Sequence, residues 1–313
     1  MAGRETLILP VRAVDMMRSL ILLAVLPLVA CGPKPAPVPP QKLLFDDFSY
    51  ADPAALTRQG WTVRSEAGWP GVGGAAWGGV GLVDDPEHKG NRLLRLSAQT
   101  DGEKTQQAQL CQQRKFLAGT YAARVRFSDV PVSGPDGDRI VQTFYTISPL
   151  RQQMDPDYSE LDFEYLPHGG WGASGPTLFM TSWETVQLQP TFKPYVESHR
   201  ERGNLAGWHT LVVQVKDGKT VWFVDGKRSG EHGKASYPRV PMSINFNLWF
   251  IADGLAPAKG LRRWEQDVDW VFHAADEVLT PDEVEAQVAG LRSKGVAHVD
   301  GVPASSLPSP CNM

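Results

Sequence analysis

Three acidic residues alternate along one short apolar segment, Glu160-Leu161-Asp162-Phe163-Glu164. In a β-strand, residues two apart point to the same face, so Glu160, Asp162 and Glu164 share one face while the residues between them enter a core. Crowding three carboxylates raises the pKa of at least one of them, which leaves a protonated acid beside an ionised group near neutral pH. Such a pair can carry out general acid–base and nucleophilic chemistry.

The pattern is also compatible with a solvated strand face, and a second alternating triple, Glu265, Asp267 and Asp269, occurs later in the chain. The first triple differs because large apolar residues consistently separate its acids, which fixes its face. A companion segment, 242–250, sends five apolar residues to a core and leaves Ser243, Asn245, Asn247 and Trp249 on the opposite face. Amides hydrogen-bond hydroxyl groups and an indole stacks on the apolar side of a sugar ring, so this row predicts sugar binding beside the carboxylates.

Short segments with apolar and polar residues in alternation recur through most of the chain. They are 92–98, 121–127, 139–147, 160–166, 177–183, 209–215, 220–224, 242–250 and 267–272. Asp217-Gly218 and Asp225-Gly226 are typical of tight hairpin turns between neighbouring strands. Many short strands without amphipathic helices between them predict an all-β sandwich or jelly roll.

One helix is predicted near the end of the chain. Thr280 and Glu283 form a capping box, Pro281 stands at the first helical position, and Gly295 ends the helix. The helix has one apolar face, made by Val284, Val288 and Leu291. We expect this short C-terminal helix to dock on the β domain.

Composition excludes several function classes. The 31 basic and 35 acidic residues give a net charge of −4, which argues against nucleic acid as a partner. The seven histidines show no metal-ligand spacing, and the nucleophile motif GxSxG does not occur. We therefore expect no metal among the site residues, no required cofactor, and a monomer.

The amino terminus resembles a secretion signal. An apolar run from Leu20 to Ala30 follows Arg18 and ends in Leu-Val-Ala-Cys, which resembles a bacterial lipobox with Cys31 as the lipidated residue. An ordinary signal with a chance cysteine is the alternative. Translation is expected to begin at Met16 or Met17, because the acidic residues before them do not suit a signal.

The predicted domain order follows from these segments: a signal peptide with lipobox at 1–31, a proline-rich linker at 32–42, a β-jelly roll at 43–275, and a C-terminal helix and tail at 276–313. The linker favours extended polyproline II and would hold the domain away from a membrane. Gly32 after the cysteine does not resemble an inner-membrane retention signal. The expected location is the cell envelope, at the outer membrane in a two-membrane cell.

Residues 160–164 resemble the signature of glycoside hydrolase family 16. Further similarities follow in the family's order at residues 45–48, 119–125, 207–210, 222–226, 247–249 and 269–271. The resemblance covers roughly residues 43–273 and implies a concanavalin A-like β-jelly roll. It also implies internal cleavage of a β-linked polysaccharide, a β-glucan or a galactan, with retention of configuration.

The resemblance implies a role for each acid: Glu160 as the nucleophile, Glu164 as the acid/base, and Asp162 between them to tune their protonation. It implies a glycoside hydrolase, with transglycosylation as a variant of the same chemistry. Family members often hold a structural calcium ion, whose position this sequence does not fix. A non-catalytic carbohydrate-binding envelope lipoprotein on the same fold is the alternative.

Two further pairs of residues remain open. Trp171 and Trp183 follow the acidic segment in regions that match no single substrate subgroup, and each is either a sugar platform or a structural residue. Cys111 and Cys311 are the cysteines that remain after Cys31. In an oxidising envelope they could pair and tie the tail to a strand; otherwise they are a buried thiol and part of a frayed tail.

Overall fold

A computed structural model describes residues 42–312, so the predicted signal peptide, Cys31 and all but the last residue of the linker lie outside the described residues. The described strands are β1 (Leu43–Asp46), β2 (Thr62–Val63), β3 (Ala76–Trp77), β4 (Val80–Asp84), β5 (Arg92–Thr100), β6 (Thr105–Cys111), β7 (Gly119–Phe127), β8 (Ile140–Ile147), β9 (Glu160–Leu166), β10 (Thr177–Gln187), β11 (Lys193–Arg202), β12 (Gly207–Lys216), β13 (Lys219–Val224), β14 (Lys227–His232), β15 (Ser243–Phe250), β16 (Arg262–Ala275) and β17 (His298–Asp300). The helices are α1 (Ala55–Arg58) and α2 (Pro281–Ser293), with a 3₁₀ turn at Pro310–Asn312.

The strands form two mainly antiparallel layers. Sheet A runs β14-β13-β12-β7-β16, and β16 then pairs with β5, which leads to β4, and with β1, which leads to β17. Sheet B runs β11-β10-β9-β8-β15-β6-β2. Pairing between β5 and β6 joins the two layers.

The core lies between the layers and receives alternate residues of the central strands. Leu161 and Phe163 from β9 are at most 2% exposed, as are Phe246 and Leu248 from β15. These are the faces that the alternation predicted, so the acidic face of β9 and the amide row of β15 lie on the outer side of sheet B. The predicted all-β sandwich is confirmed.

Two tight turns in sheet A were predicted from their residue types. Asp217 and Gly218 have φ values of 50° and 77°, and Asp225 and Gly226 have values of 49° and 77°. Each pair joins adjacent antiparallel strands, β12 to β13 and β13 to β14. Two consecutive residues with positive φ give the twist that a two-residue hairpin needs, which asparagine, aspartate and glycine tolerate best. Both hairpins are confirmed.

The C-terminal helix docks on the outer face of sheet A. The capping box between Thr280 and Glu283 is formed, and Gly295 has the positive φ of 67° expected just after the helix. The predicted apolar face packs against Phe45, Trp270 and Phe272. After the helix, β17 pairs with β1, so the chain continues to contact the sandwich beyond residue 275.

A disulfide joins Cys111, at the end of β6, to Cys311, across 200 residues of sequence. Cys111 is 0% exposed and Cys311 is 1% exposed. Of the two alternatives for these cysteines, pairing is the one observed.

Several observed strands lie outside the predicted segments, among them β6, β11 and β17. β11 is an edge strand whose residues are mostly charged and exposed, so it shows no apolar alternation. β17 has three residues, too few for a periodic signal. β6 carries a run of glutamines, and its outer-face residues Gln107 and Gln109 are buried although they are polar.

The second acidic triple is neutralised by arginines. Arg95 pairs with Glu265 and Asp267, at 2.7 Å to each. Arg292 reaches from α2 to Asp269 and donates to its two carboxylate oxygens, at 2.7 and 3.0 Å. This triple is therefore a structural feature of sheet A.

Arg292 interacts with a second carboxylate, that of Asp47. Its Nε lies 3.6 Å from Asp47, and Asn91 links Asp269 to Asp85 through two 2.9 Å hydrogen bonds. The three aspartates are each at most 8% exposed. The guanidinium of the docked helix thus supplies one positive charge to a buried cluster of three aspartates on the sandwich.

We predict that Arg292→Met lowers the free energy of unfolding by about 2 kcal/mol, because it leaves buried carboxylates without a cation. Urea denaturation at neutral pH measures the change. Arg58→Met is the matched control: its pair with Asp52 has side chains 60% and 57% exposed, so its loss is expected to cost less than about 0.5 kcal/mol. Equal effects of the two substitutions would contradict the role of Arg292.

Candidate active site

Strand β9 holds the three acids near the middle of sheet B, between β8 and β10. Glu160 lies opposite Trp183 of β10, and Asp162 lies opposite Tyr145 of β8. Asp162 is 4% exposed, while both glutamates are half-buried. The strand pairing thus sets the carboxyl groups in a line on one face, with partial access to solvent for the two glutamates.

Glu160 accepts two hydrogen bonds. The Tyr158 hydroxyl donates to Glu160 Oε2, and the carboxyl of Asp162 donates to Glu160 as well. Burial raises the pKa of Glu160 from 4.5 to about 7, against these two hydrogen bonds, which favour its ionised form. Glu160 is therefore the acid of the three whose anion is best supported.

Asp162 lies between the two glutamates and accepts a 2.7 Å hydrogen bond from Trp183 Nε1. Burial raises its pKa well above the usual value, and the charges of Glu160 and Glu164 raise it further. The raised pKa favours the protonated form of Asp162, and in that form its carboxyl is the donor to Glu160.

Glu164 has a different environment. Burial raises its pKa from 4.5 to about 8, and the charge of Glu160 adds to the rise, while a hydrogen bond from Trp171 opposes it. Burial and the neighbouring charge thus favour the protonated form of Glu164, while the hydrogen bonds from Tyr158 and Asp162 favour the ionised form of Glu160. The strand therefore presents one base and one acid on the same face, as two-carboxyl catalysis requires.

Two of the predicted sugar platforms lie beside the acids. Trp171 is 46% exposed and hydrogen-bonds Glu164, and its ring centroid is 5.9 Å from that of Trp249. Trp183 is half-buried and holds Asp162. Trp171 offers an open aromatic surface at the carboxylates, while Trp249, at 7% exposure, supports it from below.

The two predicted amides are buried in the floor of the site. Asn245 is 0% exposed and its amide bonds Ser243, which precedes it by two residues. Asn247 is 5% exposed and accepts a 2.5 Å hydrogen bond from the Thr143 hydroxyl. Both lie on the predicted face, and both use their polar atoms within the protein.

Four polar residues of the site were not found from the sequence. Tyr158 lies two residues before Glu160, so extending the alternation by one step would have found it. A buried hydrogen-bond ladder leads away from Tyr145: its hydroxyl accepts from Gln109 Nε2 at 2.7 Å, and Gln109 Oε1 accepts from Arg64 Nη1 at 2.9 Å. Only the pairing of strands brings these last three residues together.

The implied structural calcium stays a prediction. Within residues 42–312, no group of three or more His, Cys, Asp or Glu side chains is arranged to hold a metal ion. No helix in the same range is long and apolar enough to cross a membrane.

The fold is similar to that of several solved structures. A glycoside hydrolase family 16 protein from Bacteroides ovatus, solved with a mixed-linkage glucan product, matches with a TM-score of 0.57 and 17% identity over 72% of this chain and 98% of its own. A Bacillus licheniformis β-glucanase matches at 0.51 and 15%, over 74% and 98%. The κ-carrageenase of Pseudoalteromonas carrageenovora matches at 0.51 and 16%, over 77% and 98%.

At such identities the similarity is one of fold, and it confirms the predicted jelly roll. No protein-family model and no curated protein matches the sequence.

We predict that Glu164→Gln raises the free energy of unfolding by more than about 1 kcal/mol at pH 8. A carboxyl with a raised pKa contributes stability that is fully present below its unfolded pKa of about 4.5 and is lost as pH rises through about 8, whereas glutamine loses none. Urea denaturation from pH 4 to 9 measures the difference, which should vanish at the acidic end. A constant difference across this range would contradict the raised pKa.

Proposed function

We propose that this protein is a retaining, endo-acting β-glycanase that hydrolyses O-glycosidic bonds in a β-linked polysaccharide. The observation that carries the proposal is the pair of glutamates on one face of β9, on either side of Asp162, with hydrogen bonds that favour the anion of Glu160 and burial that favours the protonated form of Glu164. The shared fold with glucanases and a carrageenase supports a glycoside hydrolase and a β-glucan or galactan substrate.

Glu160 is the proposed nucleophile. Its carboxylate attacks the anomeric carbon to form a glycosyl ester, while Glu164 gives its proton to the oxygen of the departing sugar. Glu164, now ionised, then takes a proton from a water molecule, whose oxygen attacks the same carbon and releases Glu160. The two inversions give net retention, and capture of the ester by a sugar hydroxyl in place of water gives transglycosylation.

Two neighbours keep Glu160 ready for this attack. The Tyr158 hydroxyl and the Asp162 carboxyl both donate to Glu160, which fixes its orientation and supports its negative charge before the ester forms. Asp162 can do so only while protonated, and Trp183 Nε1 donates to its Oδ2 at 2.7 Å. Asp162 therefore acts as a positioning residue that couples the two glutamates.

The substrate is held by aromatic faces and neighbouring polar groups. Trp171 is the proposed sugar platform beside the acid Glu164, backed by Trp249, and Trp183 provides a second indole on the side of Glu160. Asn245 and Asn247 contribute by fixing the strands below the sugar. Sugar rings pair apolar C–H faces with hydroxyl groups, so such a mixed surface suits them.

We predict that Glu160→Ala and Glu164→Ala each lower the release of reducing ends by at least about 10³-fold, because each removes a group that forms or breaks a covalent bond. The substrates are laminarin, mixed-linkage glucan, xyloglucan, agarose and carrageenan. Both variants should remain folded, with melting temperatures close to that of the wild-type protein. Release from one polymer also identifies the substrate; binding of a polymer without release would favour a carbohydrate-binding protein.

Azide distinguishes the roles of the two glutamates. With an activated aryl glycoside, azide in Glu160→Ala attacks from the vacated face and gives the inverted glycosyl azide. In Glu164→Ala the ester still forms, so azide gives the retained product. The same anomer from both variants would contradict the assignment.

The cell-envelope anchor is proposed on the sequence of residues 28–31, which lie outside the described residues. We predict that a labelled fatty acid becomes attached to the protein in bacterial cells and that Cys31→Ser abolishes the label. Mass spectrometry of the mature amino terminus gives an independent reading. An unlabelled wild-type protein would contradict the anchor.

A further inference from the structure

The disulfide lies in the same cross-strand row as the central acid of the site. Asp162 lies opposite Tyr145, Tyr145 opposite Asn245, Asn245 opposite Cys111, and Cys111 opposite Thr62. The row therefore crosses sheet B from β9 to β2 in four steps. Asp162 and Cys111 are three strand spacings apart, or about 14 Å at about 4.8 Å per spacing.

Cys111 also points to the same face of the sheet as the acids. It is two residues from Gln109, so their side chains share a face, and Gln109 Nε2 lies 3.3 Å from Cys111 Sγ. The same amide nitrogen lies 2.7 Å from the hydroxyl of Tyr145, which is the cross-strand partner of Asp162. The disulfide is thus on the face that carries the site, in line with Asp162.

The tail that brings Cys311 to this row is fixed at two points. Val302 is 7% exposed and packs into the core between the sheets, and Lys115 donates to its carbonyl oxygen. Nine residues later Cys311 is bonded to Cys111, where the 3₁₀ turn contacts β6. Between these points most residues are exposed, among them Leu307.

From Asp162 toward β11, the row consists of small hydroxyl side chains. Asp162 lies opposite Thr181 of β10, and Thr181 lies opposite Ser198 of the edge strand β11. Their hydroxyl oxygens are 3.0 Å apart, and Ser198 is exposed. Small hydroxyl side chains on this side give a low surface that leads to the edge of the sheet.

We propose that the disulfide-bonded tail is a wall that ends the row of sugar subsites on the β6 side of the scissile bond. This inference rests on the proposed function. A sugar ring is comparable in width to a strand spacing, so about three rings fit over the distance between Asp162 and Cys111, above the buried side chains of the row, before the polysaccharide turns away over the tail. On the β11 side the row continues to the sheet edge.

A series of β-linked oligosaccharides of increasing length tests whether the tail ends the row of subsites. In the wild-type protein, kcat/KM should stop rising once the subsites on the β6 side are filled. The double variant Cys111→Ser/Cys311→Ser frees the tail. In this variant kcat/KM should continue to rise with oligosaccharide length for at least one sugar more before it reaches its plateau. The longest members should gain at least three-fold in kcat/KM. Leu307→Ala, which changes the tail and keeps the disulfide, is the matched control and should behave as wild type.

A second variant works in the opposite direction with the disulfide intact. Ser309→Trp adds bulk beside Cys311 and should shorten the plateau. The affinity for the same oligosaccharides can be measured by tryptophan fluorescence in Glu160→Gln. The length at which affinity stops rising reports the number of subsites without turnover, so this measurement remains valid even if the proposed hydrolysis fails. An unchanged plateau in either folded variant would overturn the wall, whereas absence of cleavage with an intact affinity plateau would count against the proposed function alone.

Discussion

The site depends on one electrostatic constraint, the crowding of three carboxyl groups on a half-buried strand face. Burial disfavours the charge on each, and the charges disfavour one another, so the three cannot all be ionised near neutral pH. The hydrogen bonds favour one position for the charge: Tyr158 and Asp162 donate to Glu160 and support its anion, while burial raises the pKa of Asp162 and of Glu164. Different protonation of chemically similar groups is thus a product of their surroundings.

Sheet B makes this arrangement rigid. Trp183 holds Asp162 from one neighbouring strand, while the ladder from Tyr145 through Gln109 to Arg64 ties β8 to β6 and to the segment after β2. The bonds from Gln109 to Tyr145 and from Arg64 to Gln109 each join separate strands or segments. A displaced strand would therefore break several buried hydrogen bonds at once. Leaving polar groups unpaired is costly where the local dielectric constant is low.

The C-terminal segment serves both sheets. On sheet A, α2 supplies Arg292 to the aspartate cluster, so the helix contributes charge as well as apolar contacts. On sheet B, the tail reaches the face of the site and is held there by the disulfide. Residues after the sandwich thus contribute to its stability and, by our inference, to the length of its cleft.

The sequence by itself determined the features that repeat at short range. Alternation assigned Leu161 and Phe163 to the core and the acids to the opposite face, because strand geometry alternates with a period of two. The helix was identified from its cap. Tertiary structure alone decided which distant residues meet: the burial of Asn245, the reach of Arg292 to Asp47, the ladder through Gln109, and the choice of Cys311 as a bonded partner. These depend on register between strands far apart in the chain, which local periodicity does not encode.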